Sequence, residues 1–193
     1  MMTLTETIAA MKSKGYAVFE TGNYNLNLAG LRSMPGRADE FDDILMCFYK
    51  VTGVWVCHAW PVTTDPGLYY LKNPTRVDGT AILCPGQYRG CWTFGLHKQT
   101  YEALVQGSYT GFKVWRDRDK DGQPDYSGDM YNDVQGLNCH KAGSDSPLVD
   151  KWSAGCQVFK RTKDFEAFMT ICRKQRESGF GSKFTYTLME TPK

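Results

Sequence analysis

The chain has 193 residues, a length that suits one domain of ordinary size. Apolar residues make up 41% of the chain and charged residues 23%, which excludes an intrinsically disordered chain and a membrane-embedded one. The net charge of +2 is too small for a dedicated nucleic-acid-binding protein, so we expect no nucleic-acid partner. We predict a single domain over residues 1–193.

Targeting signals are not recognisable in the sequence. The first residues, Met-Met-Thr-Leu-Thr-Glu-Thr-Ile, contain neither a basic segment nor a long apolar run, so we expect no secretory signal peptide. No segment approaches the roughly 18 apolar residues that span a membrane, and we therefore expect no membrane span. We expect synthesis in the cytoplasm, where the seven cysteines stay reduced and most act as small buried hydrophobic residues.

Three helices are predicted from capping signals and apolar spacing. Thr3 and Glu6 form a capping box, which marks the start of the first helix. Tyr101, Leu104 and Val105 would share one face of a second, short helix that follows His97. Phenylalanines and a methionine that are spaced three and four residues apart predict the third helix. The predicted helices cover residues 3–15, 98–107 and 162–179.

The rest of the chain is typical of strands and turns. Phe184, Tyr186 and Leu188 alternate with their neighbours, as expected in a half-buried strand. The Thr52-Gly53 pair predicts a hairpin, and residues 116–134 are polar enough to predict a long surface loop. We therefore predict a mainly β domain with about three helices packed on it. The predicted strands are residues 16–19, 44–50, 54–60, 80–83, 92–96, 112–116, 136–140, 155–159 and 183–189.

The most informative segment places a histidine and a cysteine at the ends of two neighbouring predicted strands. His140 ends one strand, and Cys156 opens the next strand 16 residues later. A thiol becomes a nucleophile as its thiolate, and a nearby imidazole can take the proton. Gly155 permits a tight backbone whose amides could face a developing oxyanion. Asn138 shares a strand face with His140 and is a candidate to orient the imidazole.

This segment resembles the catalytic domain of the L,D-transpeptidases. That family carries a histidine near a strand end, followed at a similar spacing by the motif Ser-x-Gly-Cys, which His140 and the run Ser153-Ala-Gly155-Cys156 match. The resemblance implies a β-sandwich-like fold and a peptidoglycan peptide as partner. It also implies that Cys156 attacks a stem peptide to form a thioester, which water or an amine resolves. His140 would be the base, and the chemistry requires no cofactor.

Three positions depart from the family pattern. Lys141 stands where the family has glycine, Ala154 where many members have a second histidine, and Val158 where the family has arginine. Arg161 and Lys160 are the nearby candidates to replace that arginine. These departures indicate a divergent branch, of the kind expected among phage-encoded cell-wall lysis enzymes. Such a protein would be made in the cytoplasm and act at the bacterial cell wall after release.

Four residues are predicted to contact the substrate. Trp152 lies beside the cysteine motif and is the best aromatic candidate to line a cleft. Ser153 and Asn138 flank the catalytic pair in sequence. His97 follows a predicted strand, where it is either a core or capping histidine or a residue of the cleft.

A second motif predicts a structural calcium site. Asp117, Asp119 and Asp121 alternate along the chain ahead of a glycine, which resembles the opening of a calcium-binding loop. The twelfth position is Gly128 where a complete loop has glutamate, so Asp125 is the candidate to complete the ligand set. The alternative is a solvated acidic turn.

Two other functions remain open on the sequence. A sortase-like transpeptidase would use Cys156 with His97, although Ser-Ala-Gly precedes the cysteine where sortases carry a Thr-Leu-x-Thr motif. A non-catalytic, calcium-stiffened wall-binding module would keep only the scaffold. Separate substitution of His97 and His140 discriminates the first alternative from the proposed enzyme.

Overall fold

Ten strands and three helices form from residues 2–132 and 136–192, the residues that the computed structural model describes. The helices are α1 (Leu4–Ser13), α2 (Leu68–Lys72) and α3 (Thr162–Glu177). The strands are β1 (Asn27–Met34), β2 (Asp43–Val51), β3 (Val54–Thr63), β4 (Thr80–Leu83), β5 (Gly86–His97), β6 (Tyr101–Val105), β7 (Val114–Asp117), β8 (Cys139–Lys141), β9 (Gln157–Phe159) and β10 (Lys183–Pro192).

Eight strands close into a barrel in the order β1-β10-β5-β6-β8-β9-β3-β2. The pairs β1–β10 and β8–β9 are parallel, and the other neighbours in the barrel are antiparallel. Strands β4 and β7 form a separate two-stranded antiparallel sheet. The predicted mainly β domain with three helices is confirmed. Eight of the ten strands form one closed sheet in place of the expected sandwich, and β10 helps to close it by pairing with both β1 and β5.

Large side chains fill the barrel and both longer helices pack on it. Trp92 and Tyr186 are buried at its centre, with ring centroids 4.5 Å apart. Helix α3 contributes Phe168, which packs on Phe159 of β9. Helix α1 buries Met11 in a second cluster that includes residues of β1, β2 and β10. A single domain results.

Several local predictions are confirmed. Thr3 Oγ1 accepts the Glu6 N–H, and the Glu6 carboxylate accepts the Thr3 N–H at 2.7 Å, so the capping box forms. The third helix is present as α3. The hairpin between β2 and β3 turns at Thr52 and Gly53, which both adopt positive φ.

The helix predicted over residues 98–107 is wrong. Lys98 and Gln99 adopt φ values of +48° and +58°, which turn the chain into a hairpin, and β6 then pairs back on β5. Ala103 and Leu104 are both buried, so β6 is covered on two faces and shows no alternation. This double burial is why its apolar spacing resembled a helix.

The strand predicted over residues 16–19 is also wrong, and β1 was not predicted. The side-chain amide of Gln87 donates to the Ala17 carbonyl and accepts the Ala17 N–H, both at 2.9 Å. The backbone of Ala17 thus bonds to a side chain and not to the backbone of a neighbouring strand. Strand β1 lies between β2 and β10 and is buried on both faces over most of its length. Its sequence therefore lacks the alternation that marks a half-exposed strand.

Two further expectations concern the loop and the thiols. Within the predicted loop, 116 and 117 belong to β7, 118–130 form neither helix nor strand, and 133 and 134 lie outside the described residues. All seven cysteines are free thiols, of which Cys57 is exposed, Cys156 is half-buried and five are buried. Within the described residues, no helix is both long and apolar enough to cross a membrane.

Candidate active site

Residues 136–138 form a fixed segment of backbone at the start of β8. The side-chain oxygen of Gln106 accepts the N–H groups of Gly136 at 2.9 Å and Leu137 at 3.1 Å. The indole N–H of buried Trp92 donates to the Leu137 carbonyl at 2.8 Å. Backbone groups that are paired in this way cannot move without breaking hydrogen bonds, so the segment is rigid.

Cys156 is held against this segment by its sulfur. The Asn138 N–H donates to Cys156 Sγ at 3.5 Å, and Sγ donates to the Gly136 carbonyl at 3.3 Å. Cys139 and Gln157 are register partners across β8 and β9, and both are buried toward the barrel core. The residues before them, Asn138 and Cys156, therefore lie on the opposite face.

A tight turn leads into Cys156. The hydroxyl of fully buried Ser153 accepts the Gly155 N–H at 3.1 Å and donates to the Cys156 carbonyl at 2.9 Å. Gly155 has a φ of +115°, and a Cβ at this position would lie 2.5 Å from the Ala81 carbonyl oxygen. Only glycine fits between this turn and β4. The Gly155 N–H, which was expected to face an oxyanion, donates to Ser153 here.

Two histidines lie next to the cysteine turn. His140 pairs in register with Val158 of β9, two residues beyond Cys156, so it lies on the same face as the cysteine. The His140 ring stacks on the His97 ring, with centroids 3.9 Å apart and planes inclined by 19°. Both histidines are buried. The structure thus brings together four of the predicted site residues: His97 of β5, Asn138 just before β8, His140 of β8, and Cys156 in the turn before β9.

The hydrogen bonds give the two imidazoles different tautomers. The Gln106 N–H donates to Asn138 Oδ1 at 3.0 Å, which identifies the amide oxygen and leaves Nδ2 to donate to His97 Nδ1 at 3.4 Å. His97 therefore carries its proton on Nε2. His140 Nδ1 lies 2.9 Å from the Lys141 carbonyl, which only accepts, so this nitrogen carries the proton. His140 Nε2 consequently holds a lone pair and can act as a base.

Burial keeps the thiol and the imidazoles neutral. Burial raises the pKa of the Cys156 thiol to about 11, although the Asn138 N–H opposes the shift. Burial, and then the neighbouring His97, lower the pKa of His140 to about 3. Near pH 7 both groups are therefore uncharged, and the site holds no thiolate–imidazolium pair. A nucleophilic role for Cys156 would require the thiol proton to leave as the sulfur attacks.

The raised thiol pKa predicts slow alkylation at neutral pH. In a Cys57→Ala background, which removes the exposed thiol, we expect the rate of Cys156 labelling by iodoacetamide to rise about tenfold per pH unit from pH 7 to 10, because only the thiolate reacts. Peptide mapping by mass spectrometry measures this rate at each pH. A rate that is already constant above pH 7 would show a preformed thiolate and contradict this account.

Trp152 lies beside the site, within a small apolar cluster. It is half-buried and packs with Phe41 and Val158. Its ring also covers Gly143, where an added Cβ would lie 2.2 Å from the indole. Trp152 thus fixes the segment that joins β8 to β9. Trp152 and Ser153, which were both predicted to contact substrate, belong to this segment.

Sequence reasoning missed Gln106, which positions much of the site. Its backbone N–H orients Asn138, its side-chain oxygen holds Gly136 and Leu137, and its side-chain N–H group donates to the Tyr109 carbonyl. The residue falls at the end of a segment that was predicted as a helix. A single glutamine after an apolar run carries no sequence signal that distinguishes it from a surface residue.

Three of the four predicted calcium ligands come together. Carboxylate oxygens of Asp117, Asp119 and Asp125 lie within 4.8 Å of one another. Asp117 is fully buried, and its Oδ1 has no hydrogen-bond partner in the part of the chain that the structure describes. Burial, helped by the nearby carboxylates, raises the pKa of Asp117 to about 6. Asp121 instead accepts the Gln123 N–H at 2.7 Å.

Comparisons with known proteins leave the family of this chain open. No protein-family model, no curated protein and no solved structure matches it. The interpretation of Cys156, His140 and His97 therefore depends on the residues and geometry of this chain.

Proposed function

We propose that the protein is a cysteine-dependent enzyme that transfers or hydrolyses acyl groups of peptidoglycan stem peptides. One observation carries the proposal: His140 of β8, whose Nε2 holds a lone pair, and Cys156, which immediately precedes β9, lie on one face of this pair of adjacent strands. The motif Ser153-Ala-Gly155-Cys156 supports it, since it resembles that of the L,D-transpeptidases. We propose that the chain is a divergent relative of that catalytic domain.

The chemistry follows from the protonation states. Cys156 Sγ attacks the carbonyl carbon of a stem-peptide bond while its proton passes to His140 Nε2. The C–N bond then breaks, the leaving amine takes the proton from His140, and a thioester remains on Cys156. Water or an amine attacks this thioester and regenerates the thiol. Water as acceptor makes the protein a peptidase, and an amine acceptor makes it a transpeptidase.

The place of action follows from the substrate. A stem peptide is found in the bacterial cell wall, so a chain synthesised in the cytoplasm would act there after release. This is the behaviour expected of a phage-type lysis enzyme.

The test compares muropeptides released from purified sacculi. We expect the wild-type protein and the Cys57→Ala control, which changes an exposed thiol, to alter the muropeptide profile equally. The Cys156→Ala variant should leave the profile unchanged, because it lacks the nucleophile. Equal products from the wild-type and Cys156→Ala proteins would refute the proposal.

A non-catalytic wall-binding module is the second candidate. The observation that favours it is the half-buried, protonated thiol of Cys156, which resembles that of an inert cysteine. Such a module would bind sacculi without changing them, and Cys156→Ala would bind as well as the wild type. The sacculus assay, read for both binding and products, separates the two functions.

We also propose that the Asp117 loop binds calcium as a structural ion. The buried Asp117 oxygen, which has no hydrogen-bond partner among the described residues, and the two carboxylates near it fit a hard divalent cation that prefers oxygen ligands. The ion would offset the repulsion among three carboxylates. It takes no part in the proposed chemistry at Cys156.

The cation proposal predicts calcium-dependent stability. We expect millimolar calcium to raise the melting temperature of the wild type and to produce heat in calorimetry, since binding to the folded state alone stabilises it. Asp117→Asn should remove both effects, whereas Asp121→Asn, outside the carboxylate cluster, should reduce them less. Absence of heat and of a melting shift in the wild type would exclude the site.

A further inference from the structure

The ring nitrogen Nε2 of each stacked histidine faces solvent. Neither His97 Nε2 nor His140 Nε2 has a hydrogen-bond partner among the described residues, since each ring uses only its Nδ1. Neither atom is among the polar atoms that are buried without a partner. Both rings are otherwise buried, so the small part of each that solvent reaches includes Nε2. A bound molecule can therefore contact both nitrogens.

Asn138 connects the two histidines to the cysteine. Its backbone N–H donates to Cys156 Sγ at 3.5 Å, and its side-chain Nδ2 donates to His97 Nδ1 at 3.4 Å. One residue thus bridges the sulfur and the His97 ring, on the face that also carries His140. A thiol, a nitrogen that holds a proton and a nitrogen that holds a lone pair consequently border one region of the surface.

Attack on a carbonyl group requires hydrogen-bond donors for the oxygen that becomes negative. The Gly155 N–H does not serve here, because it donates to the Ser153 hydroxyl. In the part of the chain that the structure describes, the backbone N–H of Cys156 and the Nε2–H of His97 both lack an acceptor. The His97 side chain thus offers a donor in place of the amide that the turn uses internally.

The surroundings of His97 hold its proton on the nitrogen that faces solvent. Burial, and then the neighbouring Lys98, lower the pKa of His97, so its ring is neutral near pH 7. The hydrogen bond from Asn138 occupies the Nδ1 lone pair. The neutral ring is therefore a fixed donor at Nε2, whereas His140, with its proton on Nδ1, is an acceptor at Nε2.

We infer that His97 Nε2–H donates a hydrogen bond to the carbonyl oxygen of the bond that Cys156 attacks. The inference rests on the proposed function and adds a second catalytic histidine that is not a base. As Sγ bonds to the carbonyl carbon, the thiol proton passes to His140 Nε2 and the π electrons of the C=O bond move to oxygen. The His97 N–H stabilises this negative oxygen and keeps its own proton when the carbonyl re-forms and the amine leaves.

A stem peptide that ends in an aldehyde tests the inference without turnover. A thiol adds to an aldehyde to form a reversible hemithioacetal, whose oxygen lies where the negative oxygen would form. We expect His97→Met, which has no donor, to bind the aldehyde about tenfold to a hundredfold less tightly than the wild type does. The matching peptide alcohol forms no adduct and should bind both proteins equally. Calorimetry in a Cys57→Ala background, which removes the exposed thiol, measures both affinities.

His97→Gln is the conservative variant. Its amide oxygen can accept from Asn138 while its N–H group donates to the substrate, so we expect most of the aldehyde affinity to return. In turnover of a stem peptide, His97→Met should lower kcat by about 10²- to 10³-fold with little change in KM, because the donor acts mainly in the transition state. His97→Gln should lose much less.

Proton NMR of the wild type gives a measurement that does not depend on the folding of a variant. We expect the resonance of the His97 Nε2 proton to move downfield when the aldehyde adduct forms, as a new hydrogen bond requires. An unchanged resonance, aldehyde affinity that survives His97→Met, or equal losses in the Met and Gln variants would overturn the inference and leave Cys156 as the nucleophile. Absence of any adduct on Cys156 in the wild type would refute the proposed function and the inference together.

Discussion

Replacement of His140 by glutamine is expected to lower kcat/KM on a stem peptide by about 10²- to 10⁴-fold, the range for loss of a general base. The thiol pKa of about 11 means that Cys156 carries its proton near pH 7, so attack needs an acceptor for that proton. His140 Nε2 holds the lone pair that can accept it. Glutamine keeps a donor for the Lys141 carbonyl but has no basic nitrogen.

His97→Gln is the matched control, since the two rings stack on each other. His97 carries its proton on Nε2 and uses Nδ1 to accept from Asn138, so we expect a smaller loss than for His140→Gln. Thermal melting of both variants separates a chemical defect from an unfolded protein. Activity that survives His140→Gln and disappears in His97→Gln would contradict this assignment and favour the sortase-like alternative.

Arg32→Met is expected to lower the free energy of unfolding by about 3–5 kcal/mol, the range for breaking one side of a buried ion pair. Arg32 is fully buried and lies 3.0 Å from the Asp65 carboxylate. It also donates to Thr64 and to the Leu83 carbonyl, so it links the ends of β1, β3 and β4. Methionine would leave the buried Asp65 carboxylate without its cation.

Urea unfolding of the variants measures this effect. Arg37→Met is the control, because Arg37 forms an exposed pair with Glu40 at 3.5 Å, and such pairs are worth about 0–1 kcal/mol. Replacing Asp65 by asparagine in the Arg32→Met protein should recover part of the loss, since it removes the uncompensated charge. A loss below about 1 kcal/mol for Arg32→Met would contradict the role given to this ion pair.

The sequence predicted those elements whose signals are local. The capping box of Thr3 and Glu6 and the apolar spacing of α3 depend on residues a few positions apart, and both were confirmed. Strands β1 and β6 depend on what covers them in the barrel. Because each is buried on both faces for part of its length, their alternation is lost, and closure of the sheet by β10 was not predictable from local pattern.

The candidate site, like the fold, was predictable where its signals are local and was not where they depend on tertiary contacts. The spacing of His140 and Cys156 predicted neighbouring strands, and β8, which contains His140, pairs in parallel with β9, which begins directly after Cys156. Gln106 reaches the site from the position after β6, which is distant in sequence from the cysteine. Its contribution depends on strand order and burial, and it belongs to no motif around the cysteine.

The central claim is that Cys156 forms a thioester. Intact-protein mass spectrometry tests it most directly, on wild-type protein that is mixed with a stem peptide and then quenched with acid. We predict a mass increase equal to the acyl part of the peptide, mapped to Cys156, absent from Cys156→Ala and retained in Cys57→Ala. Accumulation on His140→Gln should be much slower. Products that form without any adduct on Cys156, or an adduct that persists in Cys156→Ala, would contradict the account.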